Sequence, residues 1–185
     1  MTRINPADIP NRVPDEGIRV LRRLPEPKRI YPQSLPREWT MVAEPLRRVL
    51  VELAIGRKPW PLYLHGPVGH GKTRAVLAFC DRTAYARYWT VDGVMSDIIA
   101  RDPPWGILRT DLAVLDELGL PRPGNAAEFD YSAVKQFVDW RECRPAIYVS
   151  NDKPTEIWRM YDHRLQSRLT SGTVRELVDR DRRKR

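Results

Sequence analysis

Residues Gly66-Pro67-Val68-Gly69-His70-Gly71-Lys72-Thr73 follow the spacing G-x-x-x-x-G-K-[ST]. That spacing suits the wrapping of a phosphate chain. The glycines let successive backbone N–H groups turn inward onto anionic oxygens. A helix opening at Lys72 aims the positive end of its dipole at the same point. The Lys72 ammonium then reaches the β- and γ-phosphates, and the Thr73 hydroxyl is a ligand for Mg2+. The predicted nucleotide-binding segment is therefore Gly66, Pro67, Val68, Gly69, His70, Gly71, Lys72, Thr73 and the adjoining Arg74. His70 occupies a variable position of the loop and is given no role as a base.

Two further segments end in groups that could complete such a site. The apolar run Leu112-Ala113-Val114-Leu115 leads into Asp116-Glu117. A buried strand in an open α/β sheet presents its carboxyl end to the ligand crevice. Asp116 there can hold the metal, directly or through water, and Glu117 can polarise an attacking water as general base. The run Ala146-Ile147-Tyr148-Val149-Ser150 ends in Asn151. Asn151 can hydrogen-bond the water or the γ-phosphate, or it is an ordinary turn asparagine before Asp152-Lys153-Pro154. In Asp162–Leu169, Leu165 and Leu169 share one helical face and Arg164 and Arg168 another. Those arginines form a solvated basic face, or one of them reaches a neighbouring subunit's γ-phosphate.

These groups need elements to position them. Helical spacing of Leu46, Val49, Leu50 and Leu53 after Glu44-Pro45 predicts a helix leading to Gly56. Strands are predicted at Leu62–His65, Tyr88–Val91, Leu112–Leu115, Ala146–Val149 and Thr173–Val178. Helices are predicted at Lys72–Ala84, Val94–Ala100, Ser132–Trp140, Thr155–Met160 and Asp162–Leu169. Strands alternating with helices predict an α/β fold, a parallel sheet covered on both faces. Residues 1–37 carry seven of the 17 prolines, a density that excludes helix interiors and central strands. An extended arm over residues 1–38 is expected, with a short helical turn at Ile18–Leu24, then one domain over 39–179 and a basic tail over 180–185.

The chain has 185 residues, 42% hydrophobic and 30% charged, enough for one domain with a sizeable core. It contains no apolar run long enough to span a membrane, and no secretion signal is expected at its start. Cys80 and Cys143 lack metal-ligand spacing, so neither zinc nor disulfides organise the fold. Both are read as buried spacers, and a cytoplasmic location is expected. The net charge of +8 is concentrated at the ends: +3 within residues 1–30 and +4 within 180–185. Basic ends attract nucleic acid through counterion release, or serve only to solubilise. Arg101, Trp105 and Arg109 place an aromatic between two cations, a combination suited to stacking on unpaired bases, or Trp105 simply packs over Pro103-Pro104.

Taken together, residues 39 to 185 resemble the AAA+ ATPase domain of the DnaC-type replicative helicase loaders and the IstB-type transposition helper ATPases. Leu62–Thr73 resembles the family's Walker A segment, Leu115-Asp116-Glu117-Leu118-Gly119 its Walker B, Ser150-Asn151 its sensor 1, and Arg164–Leu169 the box holding its arginine finger. The closing Asp179–Arg183 also looks like the family's terminal segment. Asp116-Glu117 is the general AAA+ form where family members often read Asp-Asp. The resemblance implies a P-loop NTPase three-layer sandwich with a five-stranded core sheet, ATP and Mg2+ in the loop, and no C-terminal lid. It implies a homo-oligomeric ring or spiral in which Arg168, or failing it Arg164, acts in trans. It also implies coupling of ATP hydrolysis to single-stranded DNA and to a protein client, a replicative helicase or a transposase. The Pro-rich arm stands where DnaC-type loaders carry a folded helicase-binding domain. Two other functional classes remain on the residues alone: a small P-loop kinase, and a nucleotide-gated binding module that hardly hydrolyses.

Overall fold

The structure, a computed structural model, describes residues 39–83, 85–94, 105–119, 126–157, 159 and 161–178. A short 3-10 turn, Trp39–Met41, leads into α1, Glu44–Ala54. Pro45 sits in the first turn of α1, where its missing N–H costs nothing. Leu46, Val49, Leu50 and Leu53 line its buried face, as their spacing predicts.

Five strands follow: β1 Leu62–His65, β2 Ala86–Thr90, β3 Leu112–Leu118, β4 Ala146–Ser150 and β5 Thr173–Glu176. They form one sheet in the order β2-β3-β4-β1-β5, with every adjacent pair parallel. The helices between them are α2 Lys72–Cys80, α3 Trp105–Arg109, α4 Ala126–Trp140, α5 Pro154–Ile157 and α6 His163–Leu169.

The sheet divides two cores. One packs α1 and α2 against Leu62, Leu64, Leu112, Val114, Ile147 and Val149. The other packs α4 and α6 against Tyr63, Ala113, Leu115, Ala146 and Tyr148. This alternation along each strand is the period-2 signature of a sheet buried on both faces, and it produces the three-layer sandwich expected from the sequence. Among the described residues no helix is long and apolar enough to cross a membrane.

The order β3-β4-β1 decides where the chemistry lies. Because β4 is inserted between β1 and β3, the carboxyl ends of all three are neighbours. The loop after β1, Asn151 after β4 and Asp116 in β3 are thereby brought to one edge of the sheet.

Several boundaries differ from the sequence expectations. α2 ends at Cys80, short of Ala84, because its last turn tightens: Arg82 N–H bonds Phe79 O, Thr83 N–H bonds Cys80 O, and the Thr83 hydroxyl also donates to Phe79 O. α4 starts at Ala126, before Ser132, and α5 stops at Ile157. β2 begins at Ala86 and ends at Thr90, and β3 runs on to Leu118. Residues 91–94 are helical, whereas 95–100 lie outside the described residues, as do the arm, Ile18–Leu24 and the tail. Cys80 is buried as expected, but Cys143 is not a buried spacer: it is exposed, with φ +59°, in the turn after α4. That turn is pinned from below by Arg141, whose buried guanidinium donates to the carbonyls of Ile107, Thr110, Asp111 and Pro145.

Candidate functional site

The loop after β1 is shaped by its glycines. Gly66 has φ +143°, and a Cβ there would collide with the Leu177 carbonyl oxygen. Gly71 caps α2 in the left-handed region at φ +86°. Lys72 opens the helix and is only 7% exposed. Its Nζ donates to Gly66 O at 2.6 Å, Pro67 O at 2.9 Å and Asn151 Oδ1 at 2.9 Å. An ammonium has three donors. They meet three oxygens here, so the buried charge is solvated by two loop carbonyls and by Asn151. His70 Nδ1 lies 3.0 Å from Val68 O. Beside the loop, a small cleft is lined by Met41, Val42, Leu46, His70, Arg74 and Leu177.

Asp116 and Glu117 owe their arrangement to a bulge. Leu115 pairs with Tyr148 and Leu118 with Ser150, so β3 spends one residue more than β4 over the same step. Leu115 and Leu118 consequently face the same core, although regular alternation would send them to opposite sides. The extra residue puts Glu117 at φ +64° and exposes its side chain. Asp116 stays 4% exposed on the α2 side of the sheet. Its Oδ2 accepts from Thr73 Oγ1 at 2.7 Å and from the Tyr88 hydroxyl at 2.9 Å, and its Oδ1 accepts from Glu117 N–H at 2.7 Å. Burial, and then the Asp116 charge, raise the Glu117 carboxyl above its ordinary pKa. A partly desolvated carboxylate with a raised pKa suits a proton acceptor.

The Asn151 turn is held from behind. Ser150 Oγ donates to Leu118 O at 2.9 Å and accepts from Asp152 N–H at 3.0 Å. The Tyr63 hydroxyl donates to Asp152 O at 2.9 Å. Tyr63 and Tyr88 are the residues that sequence reasoning missed. Each reads as an apolar strand position, and its polar tip becomes informative only when the neighbouring strand is known.

The oxygen donors fit magnesium. Among the described residues no three His, Cys, Asp or Glu side chains gather into a metal cage. Magnesium held against nucleotide phosphates does not require one, since one or two protein oxygens suffice. Thr73 Oγ1 and Asp116, in mutual contact at the mouth of the loop, supply them.

Neither a protein-family model nor a curated protein sequence matches the chain. Solved structures do. AMPPCP-bound DnaA from Aquifex aeolicus superimposes with a TM-score of 0.62 at 18% identity, over 80% of this chain and 52% of that one. DnaI gives 0.56 at 18% identity, over 78% and 95%. The DnaC helicase loader gives 0.51 at 14% identity, over 63% and 76%. The fold is that of an AAA+ P-loop domain. The chain spans about half the length of the AMPPCP-bound DnaA structures it matches.

This fold does not bring every predicted residue to the loop after β1. Arg168 lies on α6, where it pairs with Asp139 and approaches Glu142 of the same chain at 3.9 Å. It lines a cleft of about 260 Å³ together with Trp60, Pro61, Arg141, Cys143 and Arg144. These residues border the starts of β1 and β4, so Arg168 sits at the sheet edge opposite its own phosphate loop. Arg164 is exposed on the same helix. Trp105 opens α3, Arg109 is exposed at its end, and Arg101 lies outside the described residues.

Proposed function

We propose that this chain is an ATPase that loads or remodels a DNA-bound protein, with a replicative helicase as its client, in the manner of DnaC-type loaders. The observation that carries the reading is the convergence of Lys72, Thr73, Asp116 and Asn151 on one sheet edge, linked by hydrogen bonds of 2.7–2.9 Å. ATP would lie along the loop of residues 66–74, with its base toward the cleft lined by Met41, Val42 and Leu46. Lys72 exchanges its loop oxygens for phosphate oxygens, and Asn151 follows the γ-phosphate. Glu117 takes the proton of the attacking water. Magnesium, held by Thr73 and Asp116, would neutralise charge on the phosphates.

Arg168 cannot serve its own loop from the opposite edge, which supports its acting on the nucleotide of a neighbouring copy in a ring or spiral. In the isolated chain Asp139 holds it. The basic ends, 1–30 and 180–185, supply contacts to single-stranded DNA, and the cytoplasm is the compartment where such a client is met. The fold likeness to a DnaC helicase loader supports the choice of client.

The test uses purified full-length chain. Wild type should bind and hydrolyse ATP, Lys72→Ala should lose binding, and Glu117→Gln should bind without turnover. Held in ATP, the Glu117→Gln protein should retain a hexameric helicase in a pull-down. Recovery of a transposase would decide for the IstB-type reading. Transfer of phosphate to an acceptor other than water, with Asn151 and Arg168 variants fully active, would decide for a kinase. Failure of wild type to bind ATP would overturn all three.

A further inference from the structure

The Tyr88 hydroxyl is assigned no part in the reading above, yet it touches the metal-binding carboxylate. Tyr88 lies on β2, which pairs with β3 in the register Tyr88↔Val114 and Thr90↔Asp116. Its side chain packs against the α1–α2 core, the face on which Asp116 also lies, and its ring reaches two residues along the sheet to the bulge. There its O–H donates to Asp116 Oδ2 at 2.9 Å, the same oxygen that accepts from Thr73.

A carboxylate has about four acceptor positions. Three of those on Asp116 are occupied, two by donors from the nucleotide machinery itself: Thr73 O–H and Glu117 N–H. The third comes from outside it. With Tyr88 on Oδ2 and the Glu117 backbone on Oδ1, the carboxylate is held at both oxygens from two strand positions. Its plane is set before a cation arrives.

We infer that Tyr88 is a positioning residue for the metal: it orients Asp116 so that the site selects magnesium. The chemistry that makes orientation matter is the cation's. Magnesium demands near-ideal octahedral geometry at short distance, whereas calcium accepts irregular shells and longer bonds. A fixed carboxylate favours the former, and one free to rotate gives up that advantage. Partners behind a ligand typically change metal affinity by about 10- to 100-fold. The inference rests on the nucleotide–magnesium reading of the loop.

The experiment measures the affinity of a fluorescent, non-hydrolysable ATP analogue in magnesium, in calcium and in EDTA, for wild type and Tyr88→Phe. The phenylalanine keeps the ring and removes one oxygen. Should it not fold, Tyr88→Leu removes the same donor and keeps an apolar side chain against the core. The expected result is a loss of about 10-fold in the magnesium-supported affinity, little change in EDTA, and a smaller loss in calcium. An unchanged magnesium-to-EDTA ratio would overturn the inference. So would an equal loss in all three media, which is what a merely structural role produces. Wild type that binds the analogue under none of these conditions would instead refute the nucleotide reading itself.

Discussion

Glu117 is the residue at which the proposed general-base role and backbone stability pull in opposite directions, and a glycine there separates them. Its φ of +64° lies in the left-handed region, which costs an L-residue roughly 1–2 kcal/mol. Glycine escapes that cost but loses about 0.5–1 kcal/mol of backbone entropy on folding. The Glu117 side chain is exposed, so its removal forfeits little apolar burial. Its removal also relieves the repulsion from Asp116 that helps raise its carboxyl pKa. The net expectation for Glu117→Gly is a gain of roughly 0.5–1 kcal/mol, an increase of about 2–3 °C in Tm for a domain of this size. Glu117→Ala keeps the left-handed strain and should be less stable than the glycine variant by about 1 kcal/mol. Asparagine, which tolerates this region, should fall between them. All three should lose ATP turnover. Urea and thermal unfolding of the four proteins without nucleotide give the comparison. If alanine and glycine prove equally stable, the bulge does not hold residue 117 left-handed, and the account of how adjacent carboxylates serve one site fails.

Asn151→Ala removes one of three acceptors from the buried Lys72 ammonium and should cost about 1–3 kcal/mol in urea unfolding, with turnover falling more than ATP affinity. Arg141→Met strips a charged donor from three buried carbonyls and a partly buried one and should cost several kcal/mol, about 3–5, visible as a lower urea midpoint or loss of soluble protein. At pH 7 the native guanidinium stays charged, because burial lowers its pKa only to about 10. Turnover at saturating ATP should rise with pH along an acid limb displaced above the ordinary glutamate value of about 4.3, since the proposed base, Glu117, would act as the anion and its pKa is raised. The sign for stability is opposite: the raised pKa favours the protonated form in the folded state, so this contribution is present at low pH and lost as pH rises through the Glu117 pKa. Arg168→Ala and Lys72→Ala should each be inactive alone, and an equal mixture should recover turnover at about a quarter of its interfaces if the arginine acts between copies. No recovery would restrict Arg168 to its contacts with Asp139 and Glu142.

Much of the candidate site is legible in local sequence because its constraints are local. The glycines at 66 and 71 announce themselves by spacing, and the structure shows why the first must lack a Cβ: the Leu177 backbone stands where that atom would be. Asp116 and Asn151 follow apolar runs whose ends must emerge at the crevice. What these runs do not disclose is who neighbours whom. Asn151 bonds to Lys72 because β4 adjoins β1, and Thr73 meets Asp116 because β3 lies on the far side of β4. Tyr88 stayed hidden for the same reason, its partner being 28 residues away on the adjacent strand. Cys143 was misread because a position just beyond a helix carries no periodic signal to say which way it faces.

The amino-acid sequence by itself determined the glycine-rich loop, the doubly covered sheet through its continuous apolar strands, and the residues able to do chemistry, because backbone freedom and hydrophobic spacing act over a few residues. The tertiary structure alone decided the strand order, the bulge that turns Glu117 out of the sheet, the hydroxyl that holds Asp116, and the placing of Arg168 at the opposite edge. Those depend on pairings between segments far apart in the chain, whose free energy is realised only when both faces of the sheet are covered together.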